Sequence, residues 1–297
     1  MTRSRVLVLG ATGMLGFQVF SRASRDPRFE AIGAVRTVQA TALIPDRLRA
    51  SVVVGDISDP QALDAIFQKA APDLVVNCAG LTKARAKAPL EAIAVNALAP
   101  HRIACVCAAS GARLVHISTD CVFSGAKGDY TETDLPDPPD LYGRSKLLGE
   151  VIDPPHLTVR TSFIGRELRT AHGLLEWFLA QEGTVKGFTH AYWSGWTAPV
   201  LANLLIELAL RRDVCGLIHV GSGKIDKFAL LRLLRDAYHK ADVTIEPVHE
   251  PVIDRSFDSA RFASLGIPYP DLDRQIRDLP DDPHYKEWTG TGQKGLE

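Results

Sequence analysis

The feature that most constrains this chain is an apolar run that leads directly into three evenly spaced glycines. Residues 6–9 read Val-Leu-Val-Leu, and Gly10, Gly13 and Gly16 follow at intervals of three. Glycines here let the chain turn tightly and let its backbone approach a pyrophosphate, and the start of the following helix favours an anion. The spacing is GxxGxxG rather than GxGxxG, and glycines that only end a strand are the structural alternative. The predicted dinucleotide-binding residues of this turn are Gly10, Thr12, Gly13, Met14, Leu15 and Gly16.

Strand and helix patterns alternate through the first half of the chain. Several of the strand candidates are rich in Val, Ile and Leu with little alternation, as a sheet covered on both faces requires. The predicted fold class is therefore α/β, a Rossmann-type doubly wound parallel sheet. Predicted strands cover residues 5–9, 30–35, 51–54, 73–78, 113–118 and 157–164. Predicted helices cover residues 15–25, 60–70, 89–110 and 142–151.

The alternation loosens beyond about residue 165. The length of 297 residues exceeds one average domain, so the sequence predicts a dinucleotide-binding core and a smaller second lobe. In this half, helices are predicted at 173–181, 199–211, 226–239 and 259–265, and extended segments at 216–221 and 243–250.

Charge and cysteine content narrow the class of partner. A formal net charge of −1 gives no electrostatic basis for binding nucleic acid or an anionic membrane. The first apolar run is too short for a signal peptide, and no stretch is expected to reach the length of a membrane helix. The cysteines form no CxxC pair or Cys/His cluster, which favours reduced thiols in the cytoplasm and no metal site. They stand at positions 78, 105, 107, 121 and 215.

Residues after the second, third and fourth strands extend the predicted cofactor site. Arg36 follows the second strand where an NAD enzyme usually carries an acid, and arginine accommodates a 2′-phosphate. This favours NADP(H), with NAD(H) as the alternative cofactor and a solvated surface arginine as the alternative role. Ligands lie at the carboxyl ends of parallel strands, so the predicted cofactor contacts also include Asp56, Ile57, Cys78, Ala79 and Gly80. For Asp56 the alternative role is a helix N-cap before Pro60.

A tyrosine and a lysine share one face of a predicted helix. Tyr142 and Lys146 are spaced i and i+4. A nearby cation stabilises tyrosinate and lowers a pKa that is ordinarily about 10, so that the pair can exchange a proton near neutrality. The fifth strand ends at Thr119, whose hydroxyl can hydrogen-bond a substrate oxygen beside Tyr142. A Ser/Thr turn that caps the strand is the alternative.

Together these motifs resemble the dTDP-4-dehydrorhamnose reductase family of extended short-chain dehydrogenases/reductases. The resemblance implies that Thr119, Tyr142 and Lys146 are the catalytic triad, that Asn96 supports a proton relay, and that Lys146 also holds the nicotinamide ribose. The matching segments are GATGMLG at 10–16, NCAG at 77–80 with Thr82, VNALAP at 95–100, STDCVFSG at 118–125, Tyr142 with Lys146, RTSF at 160–163, and FDSARFASLG at 257–266.

The resemblance also implies how the chain is divided. Extended members of this superfamily cross between core and substrate lobe more than once, so we expect a discontinuous second lobe. The expected core is 1–165 with a return segment near 213–224, and the expected substrate lobe is 166–212 and 225–297. A homodimer is implied as well, through the helices that flank the catalytic strand.

Two positions that face the sugar in this family differ here. The family usually has Tyr where Cys121 stands and Trp where Phe163 stands. The aromatic-rich segment 189–199 replaces a shorter pattern, and its rings can stack on a base or a sugar, with packing as the alternative. The predicted substrate contacts are Thr119, Asp120, Cys121, Phe163 and Trp196.

Three functions remain open at this point. The first is NADPH-dependent reduction of the C4 ketone of a nucleotide-linked 4-keto-6-deoxy sugar. The second is an epimerase–reductase, because GDP-fucose synthase carries a Cys at the position of Cys121; here His172 or His190 would be its partner. Related dehydratases carry Glu there, which argues against dehydration. The third is a non-catalytic, cofactor-binding regulatory protein. We favour plain reduction, with Cys121 shaping the pocket.

Overall fold

The computed structural model describes residues 3–167 and 173–286. In chain order the strands are β1 (Ser4–Leu9), β2 (Phe29–Val35), β3 (Val52–Val54), β4 (Leu74–Asn77), β5 (Arg113–Thr119), β6 (Leu157–Thr161), β7 (Phe163–Ile164), β8 (Gly183–Phe188), β9 (Ala191–Trp193), β10 (Trp196–Thr197), β11 (Gly216–His219), β12 (Ile225–Asp226), β13 (Val243–Val248) and β14 (Ile253–Asp254). The α-helices are α1 (Met14–Ala23), α2 (Asp46–Arg49), α3 (Pro60–Ala70), α4 (Pro89–Ala92), α5 (Ala99–Ser110), α6 (Leu141–Leu148), α7 (Leu174–Leu179), α8 (Ala198–Leu210), α9 (Lys227–Ala237), α10 (Ala260–Ala263) and α11 (Leu272–Asp278).

Seven parallel strands form the central sheet, in the order β11-β6-β5-β4-β1-β2-β3. This confirms the predicted doubly wound parallel sheet. The strand order reverses between β1 and β4, and in such sheets ligands bind outside the carboxyl ends of the strands at the reversal. The edge strand β11 lies inside the segment 213–224 that was expected to return to the core.

Both faces of the sheet are covered. Alternate residues of β1 point to opposite sides, so Val6 belongs to one hydrophobic cluster and Leu7 to the other. The first cluster includes residues of α1 and α8, and the second includes residues of α3 and α5. Every residue of β4 and of β5 is buried, which is why these strands lack an alternating pattern in the sequence.

The second half contains more short strands than the sequence pattern indicates. The predicted strand 157–164 is two strands, because the chain leaves the sheet at Ser162, whose carbonyl accepts a hydrogen bond of 2.9 Å from Trp196 N. Strand β7 then pairs with β10 instead of the central sheet. The other strands that the sequence analysis missed are β8, β9, β12 and β14, which together with β13 form two small sheets. Most span only two or three residues, too few to show a period.

The division into two lobes stays a prediction. Helix α8 lies within the segment 166–212 expected in the substrate lobe, yet it packs beside α1 on the central sheet. Arg113 of β5 donates to the carbonyls of Leu208 and Ala209 at 2.9 and 2.8 Å, near the end of this helix. The expected lobe also includes residues 168–172 and 287–297, which lie outside the described residues.

The long helix predicted at 89–110 is present, with a π-helical segment at Ile93–Leu98 between α4 and α5. With 22 residues and a mean hydropathy of 1.4, it is long and apolar enough to cross a membrane by those two criteria. The expectation that no stretch reaches this length is therefore wrong. The core helix of a soluble protein passes the same test, so a single such helix is weak support for a membrane span.

Candidate active site

The glycine turn brings the end of β1 against the loop after β4. Gly10 has a φ of +79°, and a Cβ atom there would lie 2.9 Å from the backbone of Ala79. A Cβ atom on Gly16 would collide with the carbonyl oxygen of Gly10. Both glycines are thus required by packing alone. They have a structural role whether or not they also contact a ligand.

Helix α1 begins at this turn without a side-chain cap. Its N-cap residue is Gly13, and no acidic residue lies in its first turn. The first N–H groups of an α-helix have no acceptor within the helix, and the partial positive charge at this end favours an anion. The amides of Met14, Leu15 and Gly16 are therefore suited to a phosphate at the strand reversal.

The residues after β2 and β3 lie at the same edge of the sheet. The Arg36 side chain is exposed and makes no hydrogen bond within the described part of the chain. Asp56 accepts hydrogen bonds from the amide and hydroxyl of Ser58 at 2.9 and 2.7 Å. Helix α3 is capped by Asp59, which accepts from Gln61 N at 2.9 Å. The alternative interpretation of Asp56 as the N-cap of this helix is therefore wrong.

Asn96 lies in the π-helical segment and fixes the loop after β4. Its Oδ1 accepts from Leu81 N at 2.7 Å, while its Nδ2 donates to Leu81 O and to Ser145 Oγ, both at 3.2 Å. Gly80 is so close that a Cβ atom there would lie 3.3 Å from Asn96 Oδ1. The described contacts of this buried side chain thus give it a positioning role. Of the other predicted residues of this loop, Cys78 and Ala79 are partly buried and Thr82 is exposed.

Two glycines let α6 approach its neighbours closely. A Cβ atom on Gly143 would collide with the carbonyl oxygen of Cys121, and one on Gly149 would collide with that of Asn96. The helix begins after Asp140, whose carboxylate caps it by accepting from Gly143 N at 2.8 Å. Tyr142 and Lys146 are therefore held against the end of β5.

The three predicted catalytic side chains meet at this point. Tyr142 lies beside Thr119, whose side chain acts to lower the pKa of the phenol, and Lys146 Nζ donates to Ile117 O at 2.7 Å. Thr119 Oγ1 also donates to Asp120 Oδ1 and accepts from Cys121 N, both at 3.1 Å. The turn-capping alternative for Thr119 is thus realised together with the contact to Tyr142.

Burial controls the protonation of this group. It raises the pKa of Tyr142 above its ordinary value and lowers that of Lys146 to about 8, although Glu150 and Cys78 act to raise the latter. The sequence analysis expected the lysine to lower the pKa of Tyr142, and desolvation instead dominates. The phenol is therefore protonated near neutral pH, which is the state that a proton donor needs.

Two residues that support Lys146 were not predicted. Glu150 continues the spacing of Tyr142 and Lys146 at i+8 and forms a buried ion pair of 2.8 Å with Arg160. His116, on β5, lies between Lys146 Nζ at 3.5 Å and Asn77 Nδ2 at 3.1 Å. The repeated interval of four could have identified Glu150, whereas a histidine within an apolar strand carries no comparable signal.

Cys121 is a neutral thiol in this site. Burial raises its pKa to about 12, and Asp120 raises it further, against the opposing effects of Arg255 and Lys83. His190 forms its hydrogen bonds with Thr189 and His249, at 3.0 and 3.4 Å, among the described residues. His172, the other partner considered for this cysteine, lies outside them.

The two aromatic residues predicted to contact substrate, Trp196 and Phe163, differ in burial. Trp196 is completely buried, and its Nε1 donates to Val220 O at 3.0 Å. Its ring packs edge-on against Phe262 and Tyr269. The prediction that Trp196 touches substrate is therefore wrong, because the ring is fully enclosed by the protein and its N–H group already has a backbone acceptor. Phe163 is partly exposed and stays a predicted contact.

This fold and this set of side chains define a class, that of the extended short-chain dehydrogenases/reductases. The chain belongs to the family described as "RmlD substrate binding domain", whose model matches residues 4–264.

Similar proteins and structures agree with this class. The dTDP-4-dehydrorhamnose reductase of Mycobacterium tuberculosis is 35% identical over 171 residues, which cover 54% of this chain but only 50% of that protein. The "Probable low-salt glycan biosynthesis reductase Agl14" of Haloferax volcanii is 34% identical over 72% of this chain and 73% of its own length. A crystal structure of a hypothetical dTDP-4-dehydrorhamnose reductase from Sulfolobus tokodaii superposes with a TM-score of 0.75 and 29% identity, covering 90% of this chain and 96% of that one.

Cys121 should resist alkylation compared with the exposed Cys105. With a pKa of about 12, only about one Cys121 thiol in 100,000 is ionised near pH 7, and the thiolate is the form that reacts. Brief treatment of the folded protein with iodoacetamide, followed by peptide mass spectrometry, measures both sites in one sample. Labelling of Cys121 as fast as that of Cys105 would contradict a neutral, buried thiol.

Proposed function

We propose that this protein is a reductase that uses NADPH to reduce the C4 ketone of a nucleotide-linked 4-keto-6-deoxy sugar. The observation that carries the proposal is the placement of the Tyr142 phenol beside Thr119 and Lys146 at the carboxyl edge of the sheet. A protonated phenol next to a second hydroxyl suits a carbonyl oxygen that gains charge and then a proton. Membership of a family that includes named reductases supports the same chemistry.

The residues at the strand reversal fit a nicotinamide dinucleotide. The uncapped amides of α1 and the turn at Gly10 suit the pyrophosphate, and Arg36 suits the 2′-phosphate of NADP(H). NAD(H) is the alternative cofactor. Lys146 is the candidate for the nicotinamide ribose. Side chains and backbone of the neighbouring loops complete the proposed site, namely Thr12, Gly13, Asp56, Ile57, Cys78, Ala79, Gly80, Thr82 and Asn96.

A bound nicotinamide would supply the hydride for the ketone carbon. The contribution of this chain is to orient the ketone and to provide the proton. Thr119 turns its hydroxyl from Asp120 toward the ketone oxygen and donates a hydrogen bond to it. Tyr142 then gives its proton to the same oxygen. The charge of Lys146, fixed by the carbonyl of Ile117, stabilises the tyrosinate that remains.

The substrate lobe and the assembly belong to the same proposal. We assign substrate binding to 166–212 and 225–297, with α8 as a helix that covers the core sheet. Asp120, Cys121 and Phe163 are the proposed contacts around the sugar. A homodimer and a cytoplasmic location fit a biosynthetic enzyme of this class.

Replacement of Tyr142 by Phe tests the proton donor. The variant should bind NADPH with near wild-type affinity while turnover falls by roughly a hundredfold or more, because only the donor is lost. The measurement is NADPH oxidation with a panel of nucleotide 4-keto sugars. The control Tyr269→Phe changes a partly exposed ring outside the site and should keep full activity. Near-normal turnover of Tyr142→Phe would exclude it as the acid.

Replacement of Arg36 by Ala tests the cofactor preference. Because a charge-assisted hydrogen bond contributes about 1.5–3 kcal/mol, NADPH should bind roughly ten- to a hundredfold more weakly, with little change for NADH. Fluorescence titration with each cofactor measures the two affinities. Arg277→Ala, at an exposed ion pair with Asp273, is the matched control. Equal losses for NADPH and NADH would contradict a contact to the 2′-phosphate.

The epimerase–reductase alternative depends on Cys121. This residue lies two positions after Thr119, and its backbone N–H donates a hydrogen bond to the Thr119 hydroxyl. A neutral thiol with a raised pKa is a poor base, which supports reduction alone. Reduction in D₂O should then leave C3 and C5 of the product without deuterium, as read by NMR. Deuterium at either carbon, lost in Cys121→Ser, would favour the alternative. Absence of NADPH oxidation with every sugar would favour a non-catalytic regulatory protein.

A further inference from the structure

Lys227 is a partly buried lysine that neither the sequence analysis nor the mechanism uses. It is the first residue of α9, directly after Asp226, which caps the helix by accepting from Ala229 N at 2.8 Å. Its ammonium lies over the ring of Trp193, 5.1 Å from the centroid. That ring is itself fixed, because Trp193 Nε1 donates to Ser162 Oγ at 2.9 Å. The lysine is therefore held in one direction by a buried aromatic platform.

The ammonium of Lys227 lacks an anionic partner among the described residues. Lys224, three residues earlier, provides a direct comparison, since it lies over the neighbouring ring of Tyr192 at 4.9 Å. Lys224 pairs with Asp254 at 2.5 Å and with Asp129 at 3.1 Å. Lys227 has no ion pair and no hydrogen bond in the described part of the chain. Partial burial without an ion pair disfavours the charged form of this lysine, and an anionic ligand would offset that cost.

The ammonium of Lys227 lies within electrostatic range of residues that follow Thr119. The charged and titratable groups that act on it are Asp120, Cys121 and Arg255. The carboxylate of Asp120 accepts from the Thr119 hydroxyl, and Arg255 Nε donates to Phe123 O at 2.8 Å. Both charged neighbours thus already have partners, whereas Lys227 keeps its three donors for a ligand beside the residues that would surround the sugar.

We propose that Lys227 binds an oxygen of the diphosphate that links nucleoside and sugar in the substrate. The inference rests on the proposed function for the identity of the substrate as a nucleotide sugar. A diphosphate brings negative charge and strong acceptors to a cation that has no ion pair among the described residues. An ammonium is a compact charge with rotatable donors and binds phosphate oxygens without a fixed geometry.

Titration of Lys227 gives the contact a characteristic pH dependence. Burial lowers its pKa to about 8, against Asp120 and Cys121, which raise it, and together with Arg255, which lowers it. An anion binds the ammonium form. Above about pH 8 the free protein must therefore take up a proton on binding, and affinity should fall by up to about tenfold for each pH unit.

Binding of a nucleoside diphosphate without the sugar tests the proposal. The probes are dTDP and UDP, titrated by calorimetry into the full chain between about pH 6.5 and 9.5. Lys227→Met should weaken the better probe roughly ten- to a hundredfold near pH 7 and abolish the decline above pH 8. Lys227→Arg should retain the affinity and extend it to pH 9.5, because its charge persists. Lys224→Met, which loses an already paired lysine, should behave as wild type, and all variants should bind NADPH normally.

The outcomes separate this contact from its alternatives. Wild-type affinity for dTDP and UDP in Lys227→Met would overturn the proposal, as would failure of the wild type to bind either probe. A variant that binds these probes normally but loses the nucleotide sugar would assign Lys227 to the sugar instead, which also overturns it. Because binding requires no turnover, loss of probe affinity in Lys227→Met without any ketone reduction would uphold this contact and reject the reductase.

Discussion

The site depends on how closely α6 approaches the chain segments beside it. Gly143 and Gly149 are the two points of contact, where any side chain would collide with the carbonyls of Cys121 and Asn96. At the first point the helix meets the turn after β5, and at the second it meets the π-helical segment of the long helix. A π-helical segment within a helix is often found at a functional site. Tyr142 and Lys146 lie between these contacts, so backbone packing determines their position with respect to Thr119.

Desolvation then determines what these side chains can do. The same burial keeps Tyr142 and Cys121 protonated and lowers the pKa of Lys146 and Lys227 to about 8. Because the phenol of Tyr142 and the thiol of Cys121 are both protonated, their position in the site, and not their charge, determines what each can do. Tyr142 lies beside Thr119, whose hydroxyl is proposed to bind the ketone oxygen. Cys121 contributes no proton transfer to the proposed reaction, and its small size is its proposed contribution. At the proposed sugar site, cysteine is smaller than the tyrosine that the resembling family usually carries there.

The sequence predicts the central sheet well because its signals are local and redundant. Helix α3 has the predicted bounds, since an acidic cap and Pro60 coincide with the start of the amphipathic pattern. Elsewhere a local sequence pattern does not show whether a side chain points into the core or toward a ligand. Trp196 was taken for a substrate contact because an aromatic in a polar loop has no period that tells which way it faces. Lys227 stands at the start of a helix, where a solvated lysine is the ordinary interpretation. Its partial burial over the ring of Trp193, without an ion pair in the described part of the chain, distinguishes it.

The cofactor side and the substrate side of the site differ in how much they depend on side chains. At the strand reversal the candidate cofactor contacts are mostly backbone amides and glycines, which sequence motifs record directly. On the substrate side the proposed contacts are side chains from separate elements, namely Cys121 after β5 and Phe163 on β7 for the sugar and Lys227 on α9 for the diphosphate. These three are brought together only by the folded chain, and two of them depart from the pattern of the resembling family. The proposed substrate contacts therefore lie in the region where sequence motifs carry the least information, and the proposed contact of Lys227 with the diphosphate was visible only from the folded chain.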